Sequence, residues 1–353
     1  MCEEVVCSKP SFEIVSKGTN IEGDISQSFL EILFLPARKQ IAGLELEQAK
    51  LRVAHAVLDF AAQTRSAYYT AVGARQIADL RKMIAQATEA SALLAQRLYD
   101  AGNLSELAMT LERASHEQSR QELAKAEAEV VSSREHLTKL LGLWGEGAGW
   151  KAPEKLPDVP AEEMPLEKLE TLAVSRRLDL AGLREEVRAL SGGLALAGRV
   201  RWFGDLSVGV DAERDTNHQT VIGPNLSVQL PIFDQGQATL ARLEALLRQR
   251  EDRLAALAVD IRAEVRSLRD RLMLGRYRIE HLLKVVIPLR EKAVALTQEQ
   301  WNFMLVGAFE LIESKRREFE AYQDYIDAVR DYWMTKSDLV RALGGQTAPA
   351  KTP

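Results

Sequence analysis

Between Pro36 and Pro153 the chain runs 116 residues without a proline, and Pro231, Pro288 and Pro349 bound two further such tracts. Proline breaks helix interiors, so these tracts predict long helices. Within the first, Gly102-Asn103 interrupts a run rich in Ala, Leu, Glu, Gln and Arg, the strong helix formers. The pattern predicts a helix, a sharp turn and a returning helix. At about 1.5 Å per residue, the 65 residues from Ala37 to Ala101 would reach roughly 100 Å unbroken, far more than a globular core requires.

The second half repeats the plan, with Val306-Gly307-Ala308 as the interruption. The segment after it places Ile312, Phe319, Tyr322, Ile326, Val329, Trp333, Val340 and Leu343 on a heptad seam. After Gly102 the corresponding seam reads Leu104, Leu107, Leu111 and Ala114, slips phase, and resumes at Leu123, Ala126, Val130, Leu137 and Leu140. At an offset of 201, Ile25-Ser26 meets Leu226-Ser227, Asp59 meets Asp260, Ala62 meets Ala263, and Arg65-Ser66 meets Arg266-Ser267. The turn glycines Gly102 and Gly307 are 205 apart, which predicts four residues inserted between repeats. The chain reads as a tandem duplication.

Short strands complete the repeat. From Asp205 to Glu213, Leu206, Val208, Val210 and Ala212 alternate with polar residues. Beyond a polar turn, Ile222, Pro224, Leu226, Val228 and Leu230 alternate with Asn225, Ser227 and Gln229. This predicts a β-hairpin with one apolar and one polar face. Phe12, Ile14, Ile21, Ile25 and Phe29 outline a weaker copy. A lone hairpin is marginal in water, so two of them between long helices imply other chains that complete the sheet.

The expected organisation is a first repeat, 1–152, with a β-hairpin at about 11–30 and a helical hairpin at about 36–142. A Pro-rich linker follows at 153–165, where Pro153, Pro157, Pro160 and Pro165 gather beyond Gly142, Gly145, Gly147 and Gly149. The second repeat, 166–345, holds a helix, a β-hairpin at about 205–230 and a helical hairpin at about 232–343. A disordered tail is expected at 346–353. The fold class is mainly α with small β: tandem long helical hairpins plus two β-hairpins.

Composition excludes several functions. With 46 Lys+Arg against 51 Asp+Glu, the net charge of −5 makes no electrostatic case for nucleic acid. Cys2 and Cys7 are the only cysteines, too few to organise a fold. The histidines His55, His116, His136, His218 and His281 fall on separate segments with no ligand spacing, so no metal site and no cofactor is expected. The glycines at 142–149 lack the Lys-Ser/Thr of a phosphate loop. No constellation suggests an enzyme. No apolar run of about 18 residues exists to form a spanning helix, which leaves a spanning β-barrel open. The start has neither a basic nor an apolar signal region, so a signal sequence is absent as written.

The segment Gly223-Pro224-Asn225-Leu226-Ser227-Val228-Gln229-Leu230-Pro231-Ile232-Phe233-Asp234-Gln235-Gly236-Gln237 resembles the strand-to-helix junction of the TolC-like outer-membrane efflux channels, particularly their heavy-metal-efflux branch. Arg176-Arg177-Leu178-Asp179-Leu180, where the family usually has Arg-Pro-Asp, and the ending Leu343-Gly344-Gly345 are also similar. The resemblance runs from about Pro10 to Gly345. It implies a homotrimer in the bacterial outer membrane, each protomer giving four strands to one transmembrane twelve-stranded barrel and its helices to a periplasmic tunnel. It further implies a passive conduit served by a periplasmic adaptor and an inner-membrane pump. The tip residues Gly102, Asn103, Leu104, Gly307, Ala308 and Phe309 would receive the adaptor, and Leu206, Val208, Val210, Leu226, Val228 and Leu230 would face lipid.

Two departures from the family pattern stand out. Family acids often sit six and nine residues after the second turn glycine; here these positions are Glu313 and Arg316, the candidate gate, and the matching position after Gly102 is Ala108. The first repeat also lacks a counterpart of 166–204, which reads as N-terminal truncation. Trp202-Phe203 reads equally as an interfacial aromatic belt or as packing, and Gly102 and Gly307 as helix C-caps with or without a docking role. The rival readings are a periplasmic adaptor, which the duplicated hairpins oppose, and a coiled-coil scaffold, which the strands oppose.

Overall fold

A computed structural model of the chain describes residues 11–17, 20–160, 168–201, 206–214, 220–228 and 235–345. In order they form β1 (Ser11–Lys17), β2 (Asn20–Ser28), α1 (Phe29–Asp100), α2 (Glu106–Leu140), α3 (Leu169–Arg176), α4 (Leu178–Val200), β3 (Leu206–Arg214), β4 (Thr220–Val228), α5 (Gln237–His281), α6 (Ile287–Asn302) and α7 (Ala308–Ala342). A 3-10 turn, Gly145–Gly149, follows α2, and one π-helical turn, Leu282–Val286, joins α5 to α6. Residues 151–160 carry no helix or strand. Leu230, Trp202, Phe203, Pro231–Asp234, both cysteines, residues 161–165 of the expected linker and the 346–353 tail lie outside the described residues.

Proline marks fewer boundaries than expected. Pro36 lies inside α1, which starts seven residues earlier at Phe29, directly after β2. The lost N–H costs one backbone bond, and Pro36 is exposed, so its ring meets little else. Pro288 stands in the first turn of α6, where a missing N–H is tolerated because the α-ladder restarts after the π-turn.

The repeat register also changes. Gly102 closes α1 at φ +74°, with Gly102 N–H donating to Tyr99 O at 2.9 Å and Asn103 N–H to Leu98 O at 2.8 Å. In the second repeat the residue doing this is Met304, at φ +59°, with Met304 N–H to Trp301 O at 2.8 Å and Leu305 N–H to Gln300 O at 2.9 Å. Gly307 instead precedes α7 with an extended backbone, φ −80° and ψ 163°, the place that Ser105 fills before α2. Gly142 and Gly344 close the two 35-residue returning helices with the same bonding pattern. All three correspondences are 202 apart, so one residue has been inserted, not four. It falls between Ser267 and Asn302, where the π-turn lies; a π-turn holds one residue more than the α-turn it replaces.

The chain divides into two compact units, Met1–Ala54 with Leu178–Val259 and His55–Arg177 with Asp260–Pro353. The first contains a four-stranded antiparallel sheet in the order β1-β2-β3-β4. The hairpins of the two repeats join edge to edge through β2 and β3, from Ile21↔Arg214 to Ser28↔Ser207. Gly209 makes this join possible: a Cβ there would lie 2.7 Å from Ile25 O. Among the helical segments of this unit, Glu186 of α4 accepts from Gln48 of α1 at 2.9 Å and pairs with Arg250 of α5 at 2.8 Å.

In the second unit the fully buried side chains include Val72 and Ile84 of α1, Ile261, Val265 and Leu272 of α5, and Tyr332 and Leu339 of α7. On α7 the buried line runs through Ala321, Ala328, Tyr332, Leu339 and Ala342, while the expected seam residues Phe319, Tyr322, Ile326, Trp333 and Val340 are half-buried. Small side chains permit close approach, so the intrachain contact follows the alanines beside the seam. Trp333 stacks on Tyr69 at 5.5 Å and its indole N–H donates to Pro157 O at 2.9 Å, which ties residues after the 3-10 turn to this unit.

A charged node stitches four elements of the second unit. Glu264 of α5 accepts from Arg177, just after α3, and from Arg341 of α7 at 2.5 Å. Arg341 also reaches Asp59 of α1 at 3.5 Å, and Asp59 lies 3.3 Å from His55. Burial pushes the nearby Asp338 carboxyl above its usual range; Arg341 pulls it back in part and Glu264 adds to the rise. A carboxyl held high is penalised when ionised, so it favours the folded state as pH falls, and its cost is felt above its raised pKa. Asp338→Asn is therefore expected to raise the melting temperature at pH 7, with the gain shrinking as pH falls through the raised pKa, read by calorimetry across pH.

Candidate functional site: two helical turns and one exposed sheet face

The β3–β4 register, from Leu206↔Val228 and Val208↔Leu226 to Arg214↔Thr220, fixes which residues share a face. Leu206, Val208, Val210 and Ala212 stand opposite Val228, Leu226, Pro224 and Ile222, and across β2 Val210 stands opposite Ile25. The other face carries Ser207, Gly209, Asp211 and Glu213 opposite Ser227, Asn225, Gly223 and Val221. The apolar face is uncovered: Val208 is 52% exposed, Leu226 66% and Ile222 70%. Ile25, Val210 and Val228 are exposed as well. The one residue out of pattern is Val221, exposed on the polar face. The strands β1 and β4 end the sheet, each with one edge that no described strand pairs.

At the far ends of the helical hairpins, both turns belong to the second unit. Asn103 supplies the N–H that closes α1, and Leu104 is half-buried. Ser105 caps α2, its hydroxyl accepting from Ala108 N–H at 3.3 Å. Gly307 has no atom within 4 Å of where a Cβ would stand, Ala308 opens α7, and Phe309 is half-buried. The outermost residues of the second turn are ones that sequence reading passed over: Phe303 is 70% exposed, Met304 93% and Leu305 74%. The signal that would have found them is the equal length of the two returning arms, whose closing glycines Gly142 and Gly344 place Met304 opposite Gly102.

For an L-residue the left-handed conformation costs about 1–2 kcal/mol, which Gly102 avoids and Met304 bears. Met304→Gly is expected to stabilise the chain by about 1 kcal/mol and Gly102→Met to destabilise it by a similar amount, measured by denaturant unfolding.

The candidate gate residues meet each other on one helix. Arg316 grips Glu313 through two bonds of 2.7 and 2.8 Å and also reaches Glu320 at 2.6 Å; Arg317 adds a bond to Glu313 at 2.9 Å. The Arg316 hydrogen bonds, followed by those of Arg317, hold the Glu313 carboxyl below its usual range against the opposing effect of burial. Glu313 contributes stability above the ordinary carboxylate pKa that is lost as pH falls through the depressed one. Lys315 pairs in turn with Glu318, so Glu313, Glu318 and Glu320 balance Lys315, Arg316 and Arg317. The arrangement is a charge-balanced brace along α7, and the Glu313 carboxylate is compensated within its own helix.

Among the described residues, no group of three or more His, Cys, Asp and Glu could hold a metal ion, and no helix is long and apolar enough to cross a membrane. An open sheet with one bare apolar face, joined to long helical hairpins ending in exposed turns, is suited to assembly and passage.

No protein-family profile matches the chain. It is 26% identical over 318 residues to the cobalt-zinc-cadmium resistance protein CzcC of Cupriavidus metallidurans, covering 87% of this chain and 73% of CzcC. Its fold matches CusC at a TM-score of 0.76 and 16% identity, over 96% of this chain and 82% of CusC. It also matches the outer-membrane channel CmeC of Campylobacter jejuni at a TM-score of 0.77 and 13% identity, over 98% of this chain and 78% of CmeC.

Proposed function

This chain is a homologue of the TolC-like outer-membrane efflux channels, on their heavy-metal branch, and we propose that three copies of it close one twelve-stranded barrel above a periplasmic helical tunnel. It is an outer-membrane conduit of a tripartite efflux system, not an enzyme. The single observation that carries the reading is the four-stranded sheet, which has an unpaired edge at β1, another at β4, and one uncovered apolar face. An open edge is satisfied by a like edge, and a bare apolar face by lipid; three copies do both at once if β4 of each chain pairs with β1 of the next. Along α1, Leu46, Val53, Val57 and Phe60 are exposed at spacings of a helical seam, which supplies neighbouring helices with a packing line.

In this assembly Leu206, Val208, Val210, Leu226, Val228 and Leu230 face the bilayer, and the polar face lines the lumen. The turns at Gly102-Asn103-Leu104 and at Met304 to Phe309 receive a periplasmic adaptor, and an inner-membrane pump delivers the cargo. The branch supports a heavy-metal cation as that cargo. The brace at Glu313 and Arg316 sits on the tunnel helix close to the second turn and holds its end straight.

The test is the mass and conductance of the detergent-extracted chain. A trimer by native mass spectrometry that forms ion-conducting pores in planar bilayers is the expected result; a monomer with no conductance overturns the reading.

A further inference from the structure

Basic residues are absent from both turns. No Lys or Arg occurs in residues 98–112 or 293–314, where about five would be expected from the chain's 46 in 353. Asp100, Glu106, Glu299 and Glu310 are exposed there, and none has a cationic partner among the described residues. Elsewhere on the helices the opposite habit prevails: the brace on α7 balances every acid it contains. The acids of the turns are therefore left uncompensated where the hairpins end.

The two turns also differ in kind. The first is small and polar at its apex, Ala101-Gly102-Asn103, with exposed Leu107 and Leu111 only on the flank of α2. The second presents Trp301, Phe303, Met304 and Leu305 together, and its apex residue holds the left-handed backbone that the first turn gives to glycine. An apolar knob of this size in water, kept in a conformation its side chain disfavours, fits a role as a contact anchor.

We infer that the second turn is the anchoring half of the docking surface, an apolar knob in an acidic rim, and that its occupant is a helical partner whose end offers an apolar recess bordered by Lys or Arg. The inference rests on the channel reading above and adds to it the partner's chemistry and the division of labour between the turns. The acids speed and orient encounter and are weakened by salt; the knob holds the complex and is not.

The probes are two synthetic helical hairpins alike in length and apolar content, one with Arg and one with Glu around a Leu-lined turn, titrated onto the full chain in nanodiscs. The Arg-rimmed hairpin is expected to bind, weakening tenfold or more between about 50 and 500 mM NaCl, while the Glu-rimmed one does not. E299K combined with E310K is expected to reverse that preference. F303S combined with M304S is expected to lower affinity tenfold or more with an unchanged salt slope, its trimer mass and helical content being checked in parallel. Equal binding of both hairpins, an unreversed preference, or full affinity without the knob overturns the inference. Because trimer mass and conductance of the unsubstituted chain are read on the same preparation, loss of those overturns the channel reading instead.

Discussion

Arginine at Val208 or at Leu226 is expected to prevent the chain from assembling in the outer membrane, while arginine at Ser207 or Ser227 leaves assembly largely intact. The four positions are two cross-strand pairs on adjacent rungs of β3 and β4, Val208↔Leu226 and Ser207↔Ser227, so they share depth and backbone environment and differ in face. A charge on the lipid side of a barrel costs roughly 2–4 kcal/mol near the midplane because nothing there replaces its hydration; a charge on the lumen side stays in water. Three copies multiply the difference, since one substitution places three charges in lipid. Heat-stable trimer on semi-native gels and flotation with membranes give the readout. Equal tolerance on the two faces would reverse or abolish the proposed orientation, whatever the conductance of the parent chain.

The second large effect concerns the charged node. Replacing Glu264 with Leu removes the carboxylate that holds both Arg177 and Arg341, and leaves two guanidinium groups facing each other. The Arg177 side chain is only 9% exposed, so it has little recourse to water, whereas Glu264 and Arg341 are partly solvated. Breaking a fully buried pair costs about 3–5 kcal/mol, and the partial exposure here lowers the expectation to about 2–3 kcal/mol. Replacing Arg177, Glu264 and Arg341 together with apolar residues should cost less than E264L alone, because no unpaired charge is left behind. Denaturant unfolding of the single and triple variants measures this. A triple variant less stable than the single one would mean that the node contributes through its net attraction instead of by avoiding orphaned charge.

Much of this molecule is written locally. Long proline-free runs of strong helix formers become helices whatever surrounds them, and alternation through Val208, Val210, Leu226 and Val228 specifies the two faces of a hairpin before any partner is known. The exceptions follow from the same physics applied too simply. Pro36 was read as a boundary, yet one missing hydrogen bond on an exposed side is a small loss within a 72-residue helix. Gly307 was read as a helix stop because glycine so often relieves left-handed strain, yet Met304 takes that conformation and Gly307 opens the next helix. A one-residue insertion hidden in a π-turn is nearly invisible in composition, since it changes the hydrogen-bond ladder and little in the residue types.

The amino-acid order alone determined the helical hairpins, the duplication, and the division of each strand into oily and wet sides, because these depend on neighbours within a few residues and on the period of the backbone. Only the folded chain decided that β2 and β3 join the two hairpins into one sheet, that Glu313 is neutralised by Arg316 and Arg317, and that Arg177, Glu264, Arg341 and Asp59 meet. The residues in the sheet and in the node lie far apart in sequence and carry no shared periodic signature. Which charge finds which partner is settled by the distance between side chains once the helices have packed, and composition holds no record of that distance.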